Sequence, residues 1–355
     1  MASAGSSPRP PAPKKLQSTL QRNFETDIIA LDLNKQVAAV SATATRRAPR
    51  PHKGAILTLP TIAFLGIGLM GRPMATRLLQ SGYPLRAWNR SPGKADRLGQ
   101  AGATVHASLA EAVGGAAIVI SMLEAGAAVE QVVGAALPAL APGALWIDMS
   151  STGQGEALAF DATLRGHGLR FIDAPVSGGV AGAEAGTLAI MAGASAADFT
   201  QAEAVLRVLG RPTLVGPAGS GQVAKLCNQL IVGGTLAIVA EALLLAQAAG
   251  ADPAAVRAAI RGGFAESRIL EVHGQRMLKR DFMPGGQVKS QLKDLQNALI
   301  AAAAAGLVLP VANVVTDNYR SIEHSHPRAD QSAALLALER MNPGRRLGDG
   351  PDRLP

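Results

Sequence analysis

From residue 58 onward the chain alternates short β-rich runs with longer stretches in which apolar residues recur at helical spacing. The first pair is Thr61-Ile62-Ala63-Phe64-Leu65, followed by a helix near residues 72–80. Further strands are predicted at 85–88, 118–122, 145–149, 170–176, 188–192 and 213–215. Strands alternating with helices predict an α/β fold, a parallel sheet covered on both faces. After Gly221 the strand signals stop, and as far as Arg340 the chain is rich in Ala and Leu at helical spacing. Within that half, Gly250-Ala251-Asp252-Pro253 marks one helix end and the next helix start. A doubly wound sheet over residues 58–218 is therefore expected to precede an all-helical domain over 219–341, with the join near Gly216 to Gly221.

The ends read differently. Residues 1–57 mix Ser, Ala, Pro and Arg without steady periodicity and are expected to be a flexible extension; residues 342–355, rich in Pro, Gly and Arg, are expected to be a flexible tail. Three acids argue against a transit peptide in the first segment, and no apolar secretory core is present. Charge follows the same division. The net charge of +8 includes nine basic side chains against three acids in residues 1–57, which leaves only +2 for the rest. A near-neutral body with two Trp and two Tyr offers neither a basic stripe nor a stacking surface for nucleic acid.

Of the 355 residues 48% are hydrophobic and 17% charged, enough to bury two packed cores. Cys227 is the only cysteine, so no internal disulfide is possible and the cytoplasm is the expected compartment; the residue itself reads as a small buried hydrophobe. Gly233 to Ala251 is long and apolar but contains Glu241 and Gln247, which favours a buried helix over a membrane span. The apolar surface of the helical half exceeds what one compact domain needs, so self-association as a homodimer or homotetramer is expected. No metal-ligand motif stands out.

Chemistry enters at Gly66-Ile67-Gly68-Leu69-Met70-Gly71, a G-x-G-x-x-G turn that ends a predicted strand and opens a helix. Gly66 can take the tight turn, Gly68 lets the backbone approach a pyrophosphate, and Gly71 allows the helix to pack closely on the strand. The unpaired N–H groups of the helix start then face the anion. This context predicts a Rossmann-type dinucleotide site. At the end of the second strand, where an NAD enzyme places an acid for the ribose 2′-hydroxyl, the chain reads Trp88-Asn89-Arg90-Ser91. Asn89, Arg90 and Ser91 can all donate to a 2′-phosphate and no carboxylate repels it, which predicts NADP(H) in preference to NAD(H).

Two later segments supply candidate substrate groups. Asp173-Ala174-Pro175-Val176-Ser177-Gly178-Gly179 ends a predicted strand with a hydroxyl and two approachable amides, suited to a small carboxylate. Gly219 to Asn228 begins the long helix after the join and places Lys225 and Asn228 three apart on one face. An ammonium there can protonate a carbonyl oxygen as hydride reaches the carbon, while Asn228 fixes the substrate oxygen or the lysine.

The glycine turn, Asp148-Met149-Ser150-Ser151-Thr152, the Asp173 to Gly179 segment, the Gly221 to Asn228 helix start and Lys293-Asp294-Leu295 occur in this order over residues 60–341. Together they resemble the β-hydroxyacid dehydrogenase family, relatives of 3-hydroxyisobutyrate dehydrogenase. The resemblance implies a catalytic role for Lys225, a substrate-carboxylate site at Ser177, Gly178 and Gly179, and Asn228 as orienting partner. It also implies cofactor contacts from Met122, Leu123, Thr152 and Lys293, with Asp294 supporting the site. Gly262 to Gly274 and Asp330-Gln331-Ser332-Ala333 are most similar to the tartronate semialdehyde reductases of that family, implying reduction of 2-hydroxy-3-oxopropanoate to glycerate. The alternatives are another β-hydroxyacid dehydrogenase and a non-catalytic cofactor-binding scaffold, the latter opposed by Lys225. Two positions depart from the pattern: Gly286 stands where many relatives carry an aromatic, so the segment 284–287 is expected to be more flexible, and Gln331 replaces a histidine.

Overall fold

The computed structural model describes residues 59–355; the extension expected over residues 1–57 lies outside them. Six short strands, β1 (Ile62–Leu65), β2 (Leu85–Trp88), β3 (Thr104–Val105), β4 (Ile118–Ser121), β5 (Leu145–Asp148) and β6 (Arg170–Asp173), run parallel in the order 3-2-1-4-5-6. They are joined through α1 (Gly71–Gln80), α2 (Asp96–Gln100), α3 (Leu109–Val113), α4 (Gly126–Ala136) and α5 (Gln154–Gly166). This is the Rossmann-type α/β arrangement that the alternation predicts.

Each face of the sheet has its own core. Ile62 and Phe64 of β1 pack with Met74 and Leu78 of α1, whereas Ala63 and Leu65 pack with Val129, Val133, Phe160 and Leu164 of α4 and α5. Burial on both faces explains why the strands read as continuous apolar runs. Strand order reverses between β1 and β4, so the loops beyond their carboxyl ends open a crevice where ligands of such sheets bind.

The expected strand over 170–176 is two. β6 stops at Asp173, Pro175 cannot donate to the ladder, and pairing resumes in β7 (Val176–Ser177). α6 (Gly179–Ala185) follows, entered through Gly178 and left through Gly186, both at positive φ. This link is too short for a parallel crossover. β8 (Leu188–Gly193) consequently runs antiparallel to β6 and β7, a local exception to the predicted parallel order. α7 (Ala196–Leu209) then leads to β9 (Gly210–Gly216), parallel to β8.

Strand gives way to helix between Gly216 and Ser220. α8 (Ser220–Ala248) has 29 residues, roughly 43 Å of helix. Around it lie α9 (Pro253–Ala259), α10 (Arg268–Leu278), α11 (Val288–Ala304), α12 (Pro310–Glu323) and α13 (Ala334–Met341). Leu236 and Leu243 of α8 share a core with Leu270, Met277, Leu292, Leu295, Val315 and Tyr319. Length and composition would let α8 cross a membrane, yet these inward faces are spent on packing within the helical domain. One face of this helix remains open. Ile231, Ile238 and Leu245, seven residues apart, form an exposed apolar stripe.

Residues 342–355, expected to be loose, are packed onto this domain. Leu347 is fully buried, Gln247 bonds both Arg346 O (2.6 Å) and Gly348 N (2.8 Å), and Phe282 N donates to Arg353 O at 2.9 Å. The anchor is Arg280, 1% exposed, whose guanidinium donates to Glu339 (2.7 Å), to Leu347 O (2.8 Å) and to Asp352. Two leucines and two aspartates scattered among Pro, Gly and Arg form no period, which is why the docking was not readable. Leu347→Ala is expected to lower the free energy of unfolding in urea by about 2–5 kcal/mol, the cost of emptying a closed core site; a change within about 0.5 kcal/mol, as for a surface position, would contradict the packed tail.

Candidate active site

The glycine turn follows β1 directly, and its glycines are required for different reasons. A Cβ on Gly66, at φ +98°, would overlap Met122 O and lie 2.8 Å from Leu123 Cδ2. One on Gly71 would overlap Gly66 O. Gly68 has nothing within 4 Å of its Cβ position, so the protein itself imposes no requirement for glycine there. That open side belongs to a ligand that must come close to the backbone. α1 has no side-chain N-cap, and among the described residues the N–H groups of Gly68 to Gly71 have no hydrogen-bond partner. Leu69 is exposed and Met70 half-buried.

Asn89 holds the turn in place. Its Oδ1 accepts from Ile67 N at 2.9 Å and its Nδ2 donates to Ser91 O at 3.0 Å, so both ends of the amide are engaged. Arg90 and Ser91 are exposed beyond β2, with no acidic neighbour in the Trp88–Ser91 segment. Of the three donors expected around a 2′-phosphate, these two have no side-chain partner among the described residues.

A buried polar network joins the loops beyond β4 and β5. Met122 N donates to Leu65 O, and Leu123 N donates to Ser150 Oγ at 2.9 Å. Asp148 Oδ1 accepts from Ser121 Oγ (2.8 Å) and Ser150 N (3.2 Å). Burial pushes the Asp148 carboxyl up to about 6 against the hydrogen bonds from Ser150 and Ser121. Thr152 N donates to Gln222 Oε1 at 3.1 Å, while its own Oγ1 is buried and without a partner. A buried hydroxyl left open on the loop beyond β5 fits a cofactor's polar group.

Lys225 is 9% exposed on α8. Its Nζ donates to Gln229 Oε1 at 3.1 Å, and that oxygen also accepts from Asn228 Nδ2 at 2.8 Å. The Gln229 amide passes the link on, donating to Asp294 Oδ2 (2.9 Å) and Gln291 Oε1 (3.0 Å) of α11. Lys293, next to Asp294, donates to Ser151 O at 2.8 Å and so ties α11 to the β5 loop. Burial holds the Lys225 ammonium below the usual lysine range; Asp294 opposes that shift and Lys293 adds to it.

The structure thus gathers Lys225, Asn228, Lys293, Asp294 and Thr152 through hydrogen bonds, and packs Met122 and Leu123 against the glycine turn. Ser177, Gly178 and Gly179 make no direct hydrogen bond to that cluster. They lie at the exposed end of β7, paired to β8 through Ser177 and Ala189, and the first turn of α8 packs on β8, where a Cβ on Gly221 would overlap Met191 O. Gln229 was missed by sequence reasoning, although its i+4 spacing from Lys225 was the available signal. Cys227, expected to be buried, is exposed on the side of α8 away from the core. The departures at 286 and 331 prove to be one feature: a Cβ on Gly286 would lie 3.0 Å from Gln331 Nε2, and Gln331 N donates to Gly286 O at 2.7 Å. Gln331 in turn reaches His273 Nε2 at 3.5 Å, and His273 Nδ1 faces the buried Asp330 at 3.1 Å.

Residues 61–233 match the family model for the NAD binding domain of 6-phosphogluconate dehydrogenase, and residues 219–338 match that for the NAD-binding of NADP-dependent 3-hydroxyisobutyrate dehydrogenase. The chain is 39% identical over 285 residues to 2-hydroxy-3-oxopropionate reductase of Escherichia coli (strain K12), covering 79% of this chain and 97% of that protein. It is 36% identical over 270 residues to NAD-dependent L-serine dehydrogenase of Pseudomonas aeruginosa, covering 73% and 91%. The solved 3-hydroxyisobutyrate dehydrogenase of Mycobacterium tuberculosis with L-serine superposes with a TM-score of 0.75 at 33% identity, covering 79% of this chain and 99% of that one. The chain belongs to the β-hydroxyacid dehydrogenase family and is an NAD(P)-dependent oxidoreductase.

The glycine turn yields a contrast between two variants. Gly68→Ala is expected to leave the unfolding free energy within about 0.5 kcal/mol of the parent and to weaken NADPH binding at least about tenfold in a fluorescence titration. Gly71→Ala is expected to cost about 1–3 kcal/mol of stability through overpacking. Unimpaired binding by Gly68→Ala would remove the turn from the cofactor site.

Proposed function

We propose that the enzyme uses NADPH to reduce a small aldehyde acid, tartronate semialdehyde, to the β-hydroxyacid glycerate, with Lys225 as proton donor. The carrying observation is the buried Lys225 ammonium, placed on the helix face that also clasps the β5 loop. When bound, the dihydronicotinamide supplies hydride to the aldehyde carbon. Lys225 gives a proton to the aldehyde oxygen as negative charge grows there and is left as the neutral amine; alcohol oxidation returns the proton. Its lowered proton affinity brings both forms closer to working pH. Gln229 and Asn228 orient the ammonium, and Asp294 favours its charged form. Ser177 and the N–H groups of Gly178 and Gly179 receive the substrate carboxylate. The glycine turn, Met122, Leu123, Thr152 and Lys293 hold the cofactor.

Likeness to the Escherichia coli reductase supports the substrate, and the absence of an acid between Trp88 and Ser91, with Arg90 exposed, supports NADPH. The serine and 3-hydroxyisobutyrate dehydrogenases among the relatives support a second reading with another β-hydroxyacid. Rates with tartronate, methylmalonate and succinic semialdehydes and with glyoxylate, each with NADPH and NADH, separate the two. Tartronate semialdehyde with NADPH is expected to give the highest kcat/KM, and a higher value for any other pair would replace this assignment. The exposed stripe of Ile231, Ile238 and Leu245 supports self-association through α8. Light scattering should then give a dimer or tetramer mass, and a monomer at micromolar concentration would refute the association.

The lysine assignment fixes a pH dependence. Reduction needs protonated Lys225, so its kcat should be level at low pH and fall as pH rises through a value below the ordinary lysine range; oxidation needs the neutral amine and should rise with pH through the same group. Lys225→Met is expected to lower kcat by about 10²–10⁴-fold, the usual worth of general acid catalysis. Retained turnover in the folded variant would exclude the role.

A further inference from the structure

Three segments are tied together at the first turn of α8 by groups that have no part in the chemistry described above. Asp173, at the end of β6, is fully buried and sends both carboxylate oxygens to backbone N–H groups of this turn: Oδ1 accepts from Gly219 N at 2.7 Å and Oδ2 from Gln222 N at 2.8 Å. Those amides are the ones a helix start leaves unpaired, and a carboxylate there also meets the positive end of the helix dipole. Burial pushes the Asp173 carboxyl up to about 7, against the two backbone hydrogen bonds. The Gln222 side chain, also fully buried, reaches in another direction. Its Oε1 accepts from Thr152 N at 3.1 Å and its Nε2 donates to Ser150 O at 2.9 Å. The contact leaves no slack, because a Cβ on Gly193 would lie 2.7 Å from Gly221 N and one on Gly221 would lie 2.5 Å from Asp173 O.

Gln222 precedes Lys225 by three residues and shares its side of the helix. The same glutamine is bonded to the backbone on either side of Ser151, the segment that carries Thr152 and receives Lys293. Asp173 binds that helix start to the strand whose continuation carries Ser177. We propose that Gln222 is a positioning residue that sets the register of Lys225 against the Ser150–Thr152 loop, with Asp173 fixing the helix start from the substrate-loop side. The role rests on the reading of Lys225 as proton donor. Misplacement of reacting groups by an ångström costs on the order of 10²-fold in rate, so the loss should fall on turnover rather than on binding.

Gln222→Met keeps the volume and removes both side-chain hydrogen bonds. Its kcat for aldehyde reduction is expected to fall about 10–100-fold, with the substrate KM and the NADPH dissociation constant changed by less than about threefold, roughly 0.65 kcal/mol. The isotope effect with 4-deuterated NADPH should rise as hydride transfer becomes limiting, and amide exchange in peptide 150–154 should accelerate without a matching change elsewhere. Gln222→Glu, which keeps the acceptor for Thr152 N, should recover part of the loss. A folded Gln222→Met with parental kcat, isotope effect and exchange would overturn the proposal, as would a fall in kcat matched by the fraction of sites that no longer bind NADPH. If Gln222→Met does not fold, Gln222→Glu carries the same readings, with parental kcat and exchange overturning the role. A parental enzyme that reduces no aldehyde acid would defeat the functional reading by itself, while faster local exchange in the variant would still sustain the junction.

Discussion

Lys225 keeps an ammonium almost out of water, and a large part of the molecule is arranged to make that tolerable. Removing an isolated charge from solvent costs several kcal/mol even after relaxation, so the group needs both hydrogen bonds and a counter-charge. α8 supplies Gln229 one turn on, and α11 supplies Asp294 and Gln291 behind it. The acid does not touch the lysine. An amide stands between them, which preserves the favourable field of Asp294 without a tight ion pair that would hold the proton too firmly. α11 must therefore lie across α8 at one depth, and Lys293 bonding Ser151 O fixes the same helix to the sheet.

The parts of this design that were legible in the sequence are those with a local period or a local turn. Continuous apolar runs gave the buried parallel strands, and strand–glycine–helix order gave the phosphate turn. The loss of strand signal after Gly221 marked the boundary that α8 occupies. What could not be read is long in sequence and short in space. Gln222 meets Thr152 across seventy positions, Asp173 meets Gly219 across forty-six, and neither leaves a repeating pattern. Sequence reading singled out Asn228 at i+3 and passed over Gln229 at i+4, whose part depends on where Asp294 arrives from another helix. Pro175 was visible as a residue, whereas the reversal of β8 depends on the length of the link that follows it.

Gly286 and Gln331 show how single-position comparisons can mislead. Considered separately, one is a loss of bulk and the other a loss of a ring. In space the glutamine amide lies against the glycine, anchored by backbone pairing between 286–288 and 329–331 and oriented toward His273. An aromatic side chain at 286 could not be restored without moving Gln331. The two positions are in contact, so changes at them should not be additive.

The docking of residues 342–355 also bears on how the chain is made. Arg280 sits in the interior between Glu339, Leu347 and Asp352, and Gln247 of α8 waits for Arg346 and Gly348 about a hundred positions later. During synthesis the sheet with its glycine turn emerges complete well before these partners exist, so it can fold as domains do, from the N-terminal side onward. The helical half has no such freedom. Until residues near 352 have left the ribosome, its interior holds a guanidinium paired with Glu339 alone, without Leu347 O and Asp352, and an unfilled site for Leu347. Its last step of folding is thereby deferred until translation of this region is finished, and a chain that stops short of it would be exposed to the cell's quality control.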